Sequence, residues 1–183
     1  MKGSPDGDRR DMFDFVVAFG GSSTLSAYVK TAISESIVGI GVDKTSGIWQ
    51  TISHAVGRDM KLLHTNNVIV IYRERGEGIK CRQIGLHCPP LRAWGFEFKA
   101  CAKSDCRPSQ HDFIIRDNDV GVRMTCRVCE WQFVLLKFRD VEGLLYRLSR
   151  TTPDVFWHEY PPSAELENVF VSTTERKGSQ GRA

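Results

Sequence analysis

Two pairs of cysteines, Cys101-x4-Cys106 and Cys126-x2-Cys129, constrain this chain more than any other feature. Two residues between ligands form a tight turn that can aim both sulfurs at one point. A second pair on a facing turn completes a tetrahedron, the arrangement that Zn²⁺ prefers with four thiolates. The 19 residues between Cys106 and Cys126 are enough for a strand out and a strand back. The spacing therefore predicts a structural Zn²⁺ held by Cys101, Cys106, Cys126 and Cys129. With all four positions filled by sulfur, no coordination site remains for water, which argues against catalysis at the metal.

The redox setting agrees with this reading. Residues 1–14 are polar and charged and contain no apolar core followed by a small-residue cleavage site, so no secretion signal is evident. Six cysteines without such a signal favour reduced thiols or metal ligands, and an intracellular location, cytoplasmic or nuclear. Cys81 and Cys88 fall outside the four-residue pattern and read as ordinary thiols. A mixed site, in which His87, Cys88 or His111 replaces one thiolate, is the alternative ligand set. No apolar run approaches the roughly 20 residues that span a bilayer, so no membrane partner is expected.

Upstream of the cysteines the chain reads as α/β. Residues 1–11 are rich in Gly, Asp, Arg and Pro and are expected to be disordered. Phe13 to Phe19 suits a buried strand. Leu25, Tyr28, Val29, Ala32 and Ile33 then recur at helical spacing, with Ser22 or Ser23 as N-cap. The apolar residues 37–42 read as a second strand. Ile48, Ile52, Ala55 and Val56 mark a second helix closed by Gly57, and residues 67–72 form a third, β-branched strand. This order predicts a small three-stranded parallel β-α-β-α-β layer over residues 12–76. Three strands leave two open edges, so either the following hairpin completes the layer or the chain is the tail of a larger protein.

Residues 75–90 read as a linker. Trp94, Phe96 and Phe98 alternate with polar positions as in a strand. Residues 113–116 and 120–124 flank Asp117-Asn118-Asp119, a strong hairpin turn, and Trp131, Phe133 and Leu135 continue the alternation. An antiparallel unit carrying the cysteines is thus expected over 77–139. Val141, Leu144, Leu145 and Leu148 predict a C-terminal helix, which with an aromatic segment fills 140–160. Residues 161–183 are expected to be a mostly disordered tail.

The stretch from Cys101 to Trp131 resembles a zinc ribbon, and Cys126-Arg127-Val128-Cys129-Glu130-Trp131 is similar to the second knuckle of that family. The resemblance implies a metal-stapled antiparallel unit in which metal affinity becomes folding stability. A broader likeness covers residues 12–135. Ala18-Phe19-Gly20, Gly41-Val42-Asp43, Arg92-Ala93-Trp94-Gly95 and the Cys126 pair look like C-terminal regions of uncharacterised fungal proteins, which implies no known activity.

Three functional readings follow. The leading one is a non-catalytic interaction module with a structural Zn²⁺ and a protein partner. The second is a single-stranded nucleic-acid binder. Lys99, Lys103, Arg107, Arg123 and Arg127 would contact phosphates, and Trp94, Phe96, Phe98, Phe113 and Trp131 would supply stacking surfaces. However, the net charge of only +3 gives that reading no independent support, and a small sheet also needs such aromatics for its core. The third is a hydrolase-like enzyme or its inactive remnant. There Gly20, Gly21, Ser22 and Ser23, between a strand and a helix, would hold an anion, with His54 or His64 as base. The nucleophile-elbow pattern Gly-x-Ser-x-Gly is absent, and residues 39–45 lack the glycines of a P-loop.

Overall fold

The computed structural model describes residues 14–20, 26–43, 47–74, 76–88, 92–96, 101, 103–109, 112–118, 121–135 and 141–171. The expected disordered residues 1–11 lie outside this set, as do residues 172–183 of the expected tail.

The parallel α/β layer is not what forms. Among the described residues every pairing between strands is antiparallel, in a five-stranded sheet and a separate three-stranded one. The larger sheet contains β1 (Phe15–Gly20), β2 (Asn67–Glu74), β3 (Gly78–Leu86), β7 (Tyr146–Arg147) and β8 (Val155–Glu159), in the order β1-β2-β3-β8-β7. The correction turns on residues 37–42. Helix α1 (Ser26–Val38) runs through Ile37 and Val38 and continues as a π-helical turn, Gly39–Asp43. A short apolar run has no period that separates strand from helix. Ile37, Val38 and Val42 are all more than half exposed, so the run has no buried partner to hold it extended. Without a middle strand there is no parallel crossover. Instead, β1 and β2 pair directly, Phe15 opposite Tyr72 and Phe19 opposite Val68.

The second helix forms where its periodicity places it. α2 (Ile48–Arg58) buries Trp49, Ile52, Ser53, Ala55, Val56 and Gly57 along one face. A short α3 (Met60–Thr65) follows, and the Asp59 carboxylate caps it by accepting from the Leu62 amide at 3.0 Å. These helices cover one face of the larger sheet. Ile52, Leu62 and Leu63 meet Val68, Val70, Ile84 and Val155 there, and all seven are fully buried.

Strand β3 occupies the segment read as a linker. Its hairpin with β2 turns through Gly76 and Gly78, both at positive φ (83° and 86°). Its alternation is masked because Arg82 points to the helix-covered face. The guanidinium sits 4.6 Å from the Trp157 ring and 4.9 Å from the Trp49 ring, and its Nε donates to Glu159 Oε1 at 2.9 Å. A charge at an inward position is tolerated because it is both stacked and paired.

The smaller sheet follows the expected hairpin. β4 (Phe113–Asn118), β5 (Gly121–Cys126) and β6 (Gln132–Leu135) pair in that order, with Phe113 opposite Cys126 and Met124 opposite Phe133. Its inner residues form a second core with Ala93, Trp94, Val141, Leu145, Leu166 and Phe156 of β8, so the two sheets share buried contacts. Residues 92–96 make a tight turn, with Trp94 and Gly95 at positive φ, rather than the expected strand; Phe98 lies outside the described residues. The helix expected from Val141 stops after one turn at Gly143 (φ 95°) and gives way to β7. The C-terminal helix is α4 (Ala164–Val171) instead. It is capped by Ser163, whose Oγ accepts from the Leu166 amide, and anchored by buried Leu166.

His158 on β8 leads to a pH prediction. It is 3% exposed, its ring stacks on Phe96 at 4.6 Å, and burial lowers its pKa to about 4. The folded state then binds fewer protons than the unfolded state between pH 4 and the ordinary histidine value near 6.5. Stability is complete above that ordinary value and falls as the pH drops toward the folded pKa, by about 3 kcal/mol in total. Burial also lowers the pKa of His87, in the same direction. Urea titrations across this window should show the loss, and His158→Leu should remove much of it. An unchanged slope in that variant would refute the assignment.

Candidate metal centre

Local structure brings the four cysteines together from two turns. Cys126 ends β5, and its amide donates to the Trp131 carbonyl at 2.9 Å, closing the turn 127–130. Glu130 adopts φ 57° at the return point, a conformation rare outside glycine and asparagine. That reversal brings the Trp131 amide onto Cys129. On the other side, the Cys106 amide donates to the Lys103 carbonyl at 3.1 Å, and the Lys103 amide reaches Cys101 Sγ at 3.5 Å. Both turns therefore direct backbone N–H groups at sulfur, as a thiolate site requires.

The sulfurs converge. All four Sγ atoms lie within 4.8 Å of one another, Cys101–Cys129 at 3.5 Å and Cys106–Cys126 at 3.7 Å. A regular tetrahedron with Zn–S bonds of about 2.3 Å has S···S edges of about 3.8 Å, so these spacings fit that ion. They are too long for disulfides, whose sulfurs lie about 2.0 Å apart, and all the cysteines are free. Cys106 and Cys126 are buried in the core beside the smaller sheet, whereas Cys101 and Cys129 are half-buried.

Electrostatics point the same way. Burial and the neighbouring thiols push Cys106 up to about 12, and burial raises Cys101. Cys129 is lowered, chiefly by the Trp131 amide. Four thiols packed this closely cannot all ionise without a compensating cation, which a divalent metal supplies. The donor set, its spacing and its amide contacts fit Zn²⁺.

The other candidate residues are dispersed. Lys103, Arg107, Arg123 and Arg127 are exposed; Lys99 lies outside the described residues. Arg123 pairs across the strands with Arg116, also exposed. Trp94 and Phe113 are buried in the core beside the smaller sheet, and half-buried Phe96 and Trp131 pack against it. Gly20 is the exposed end of β1, whereas Gly21, Ser22 and Ser23 lie outside the described residues. His54 lies beside Arg58 on α2 at 3.4 Å, and His87 Nδ1 accepts from the Trp94 amide at 2.9 Å. His111 is also undescribed. Cys88 and His87 thus have partners other than the cluster: Cys88 Sγ meets His64 Nδ1 at 3.6 Å. No sequence signal joins those two residues, which lie on different elements 24 positions apart.

No helix of the described residues is long and apolar enough to cross a membrane. Comparison with protein-family models, with curated proteins and with solved structures finds no match.

Proposed function

We propose that this chain is a zinc-binding interaction module: a zinc ribbon packed against a helix-backed antiparallel sheet, with Cys101, Cys106, Cys126 and Cys129 holding one structural Zn²⁺. The observation that carries this reading is the convergence of four sulfurs from two amide-lined turns. A closed thiolate set leaves the ion no open position, so the metal organises structure rather than chemistry.

A protein partner is supported by the sheet face away from the helices. Val16 and Ile71 are direct cross-strand neighbours there, and Ile79 shares that face; these residues are 45%, 36% and 71% exposed. Exposed apolar side chains grouped on one face favour burial against another protein. Single-stranded nucleic acid is the second reading, favoured by Arg116 opposite Arg123. Like charges placed directly across strands cost stability unless an anion relieves them. Against it, the described ribbon aromatics contribute to the core instead of forming a stacking platform.

Metal analysis of the purified chain tests the foundation, with about one zinc per chain expected. Chelation should release it with loss of the near-ultraviolet signal from Trp131 and Trp94. Metal-free protein with an intact ribbon would overturn the reading. Anisotropy of a fluorescent oligonucleotide separates the two partner classes. Salt-sensitive binding that weakens in Arg123→Gln would favour nucleic acid over protein.

A further inference from the structure

We propose that Cys88 and His64 form a thiol–imidazole pair whose sulfur exchanges with low-molecular-weight disulfides of the glutathione type. This would be a reversible modification site separate from the four-cysteine cluster. The two reactive atoms are 3.6 Å apart, with His64 exposed in the last turn of α3 and Cys88 half-buried just beyond β3.

The pair is held by one buried residue. The Cys88 amide donates to the Arg92 carbonyl and the Arg92 amide donates to the Cys88 carbonyl, both at 2.9 Å. The same Arg92 sends its guanidinium to α3: Nη1 donates to the Leu63 carbonyl and Nη2 to the Thr65 carbonyl, each at 3.0 Å. These carbonyls bracket His64 in the sequence. Arg92, only 7% exposed, thus fixes the backbone on both sides of the pair, so the sulfur and the ring meet by construction rather than by a chance approach of two surface side chains.

The other thiols are placed differently. Four belong to the metal cluster. Cys81 is half-buried on the sheet, where burial and the Glu159 carboxylate raise its pKa, so it ionises reluctantly. Among the six, Cys88 has an imidazole for a base. With the ring proton on Nε2, the Cys88 thiol donates to Nδ1 and passes its proton to the ring. The thiolate then attacks one sulfur of the small disulfide: a new S–S bond forms, the old one breaks, and the departing thiolate takes the proton back from His64. The disulfide itself is the oxidant, so the exchange balances.

The test uses the full chain as purified, treated with less than one equivalent of oxidised glutathione and mapped by peptide mass spectrometry over time. Cys88 should acquire the adduct first, and His64→Gln should slow that step about tenfold or more, consistent with loss of a positioned base. Because His64 is exposed, this variant keeps the fold, which the unchanged rate at Cys81 would verify. First labelling at Cys81 rather than Cys88, or an unaltered Cys88 rate in His64→Gln, would overturn the proposal. The readout is specific to the Cys88 peptide, so it stands or falls independently of zinc.

Discussion

Cys126→Ser is expected to abolish zinc binding at the proposed site and unfold the cysteine-bearing three-stranded sheet while sparing the helix-backed sheet. The substitution barely changes volume, so a cavity term is small. What changes is the donor: a thiolate becomes a hydroxyl that stays protonated at neutral pH and has little affinity for Zn²⁺. Structural zinc supplies about 10–16 kcal/mol in finger-sized units, comparable to or above the whole stability of a typical domain. The smaller sheet has three short strands and a modest core, so under the proposed zinc site its folding is expected to depend on the metal. The helix side keeps its own fully buried set, including Ile52, Leu62, Leu63 and Ile84. Helical circular dichroism should therefore persist while zinc content falls to zero and the Trp131 environment becomes solvated. A Cys126→Ser protein that retains zinc, or retains the ribbon without it, would be incompatible with the four-sulfur site.

Gly95→Ala should be the most damaging single methyl addition in the described chain. At Gly95 a Cβ would sit 2.6 Å from Gly85 Cα and 2.8 Å from its carbonyl carbon, and the backbone is at φ 82°. Both obstacles are backbone atoms of β3, so no side chain can rotate away. The positive φ costs about 1 kcal/mol and the overpacking about 1–3 kcal/mol more. Gly143→Ala separates these contributions. Its φ is 95°, but nothing lies within 4 Å of the added carbon, so only the conformational penalty of about 1 kcal/mol applies. Urea midpoints should fall clearly further for Gly95→Ala than for Gly143→Ala. Equal shifts would mean that the two backbones do not cross this closely.

The four-cysteine cluster was legible in the sequence because the spacing within each pair is a local property, and both pairs lie in turns. The β4–β5 hairpin was legible for the same reason, although Asp117 and Asn118, expected in the turn, extend β4 and pair with Val122 and Gly121. What the sequence concealed was long-range. Residues 37–42 carry strand composition, yet they extend a helix, and Ile37, Val38 and Val42 stay more than half exposed. Strand β3 is disguised by Arg82, an inward charge that is explicable only once Trp49, Trp157 and Glu159 surround it. Val141 to Leu148 has helical spacing, but Gly143 breaks it after one turn. The Cys88–His64 approach depends on Arg92 bridging two elements, which no periodicity reports.

Strand order has a consequence for biosynthesis. β3 and β8 are hydrogen-bonded neighbours, Leu86 beside Val155, yet the entire cysteine-bearing unit is spliced between them in the chain. A ribosome delivers β1, β2 and β3 first, then the cysteine-bearing excursion, and only afterwards the strand that closes the platform. Any truncation ending just after the last cysteine would leave β3 with an unprotected edge, so shortened versions that keep β3 and the cysteine-bearing unit should aggregate unless they carry residues through Glu159.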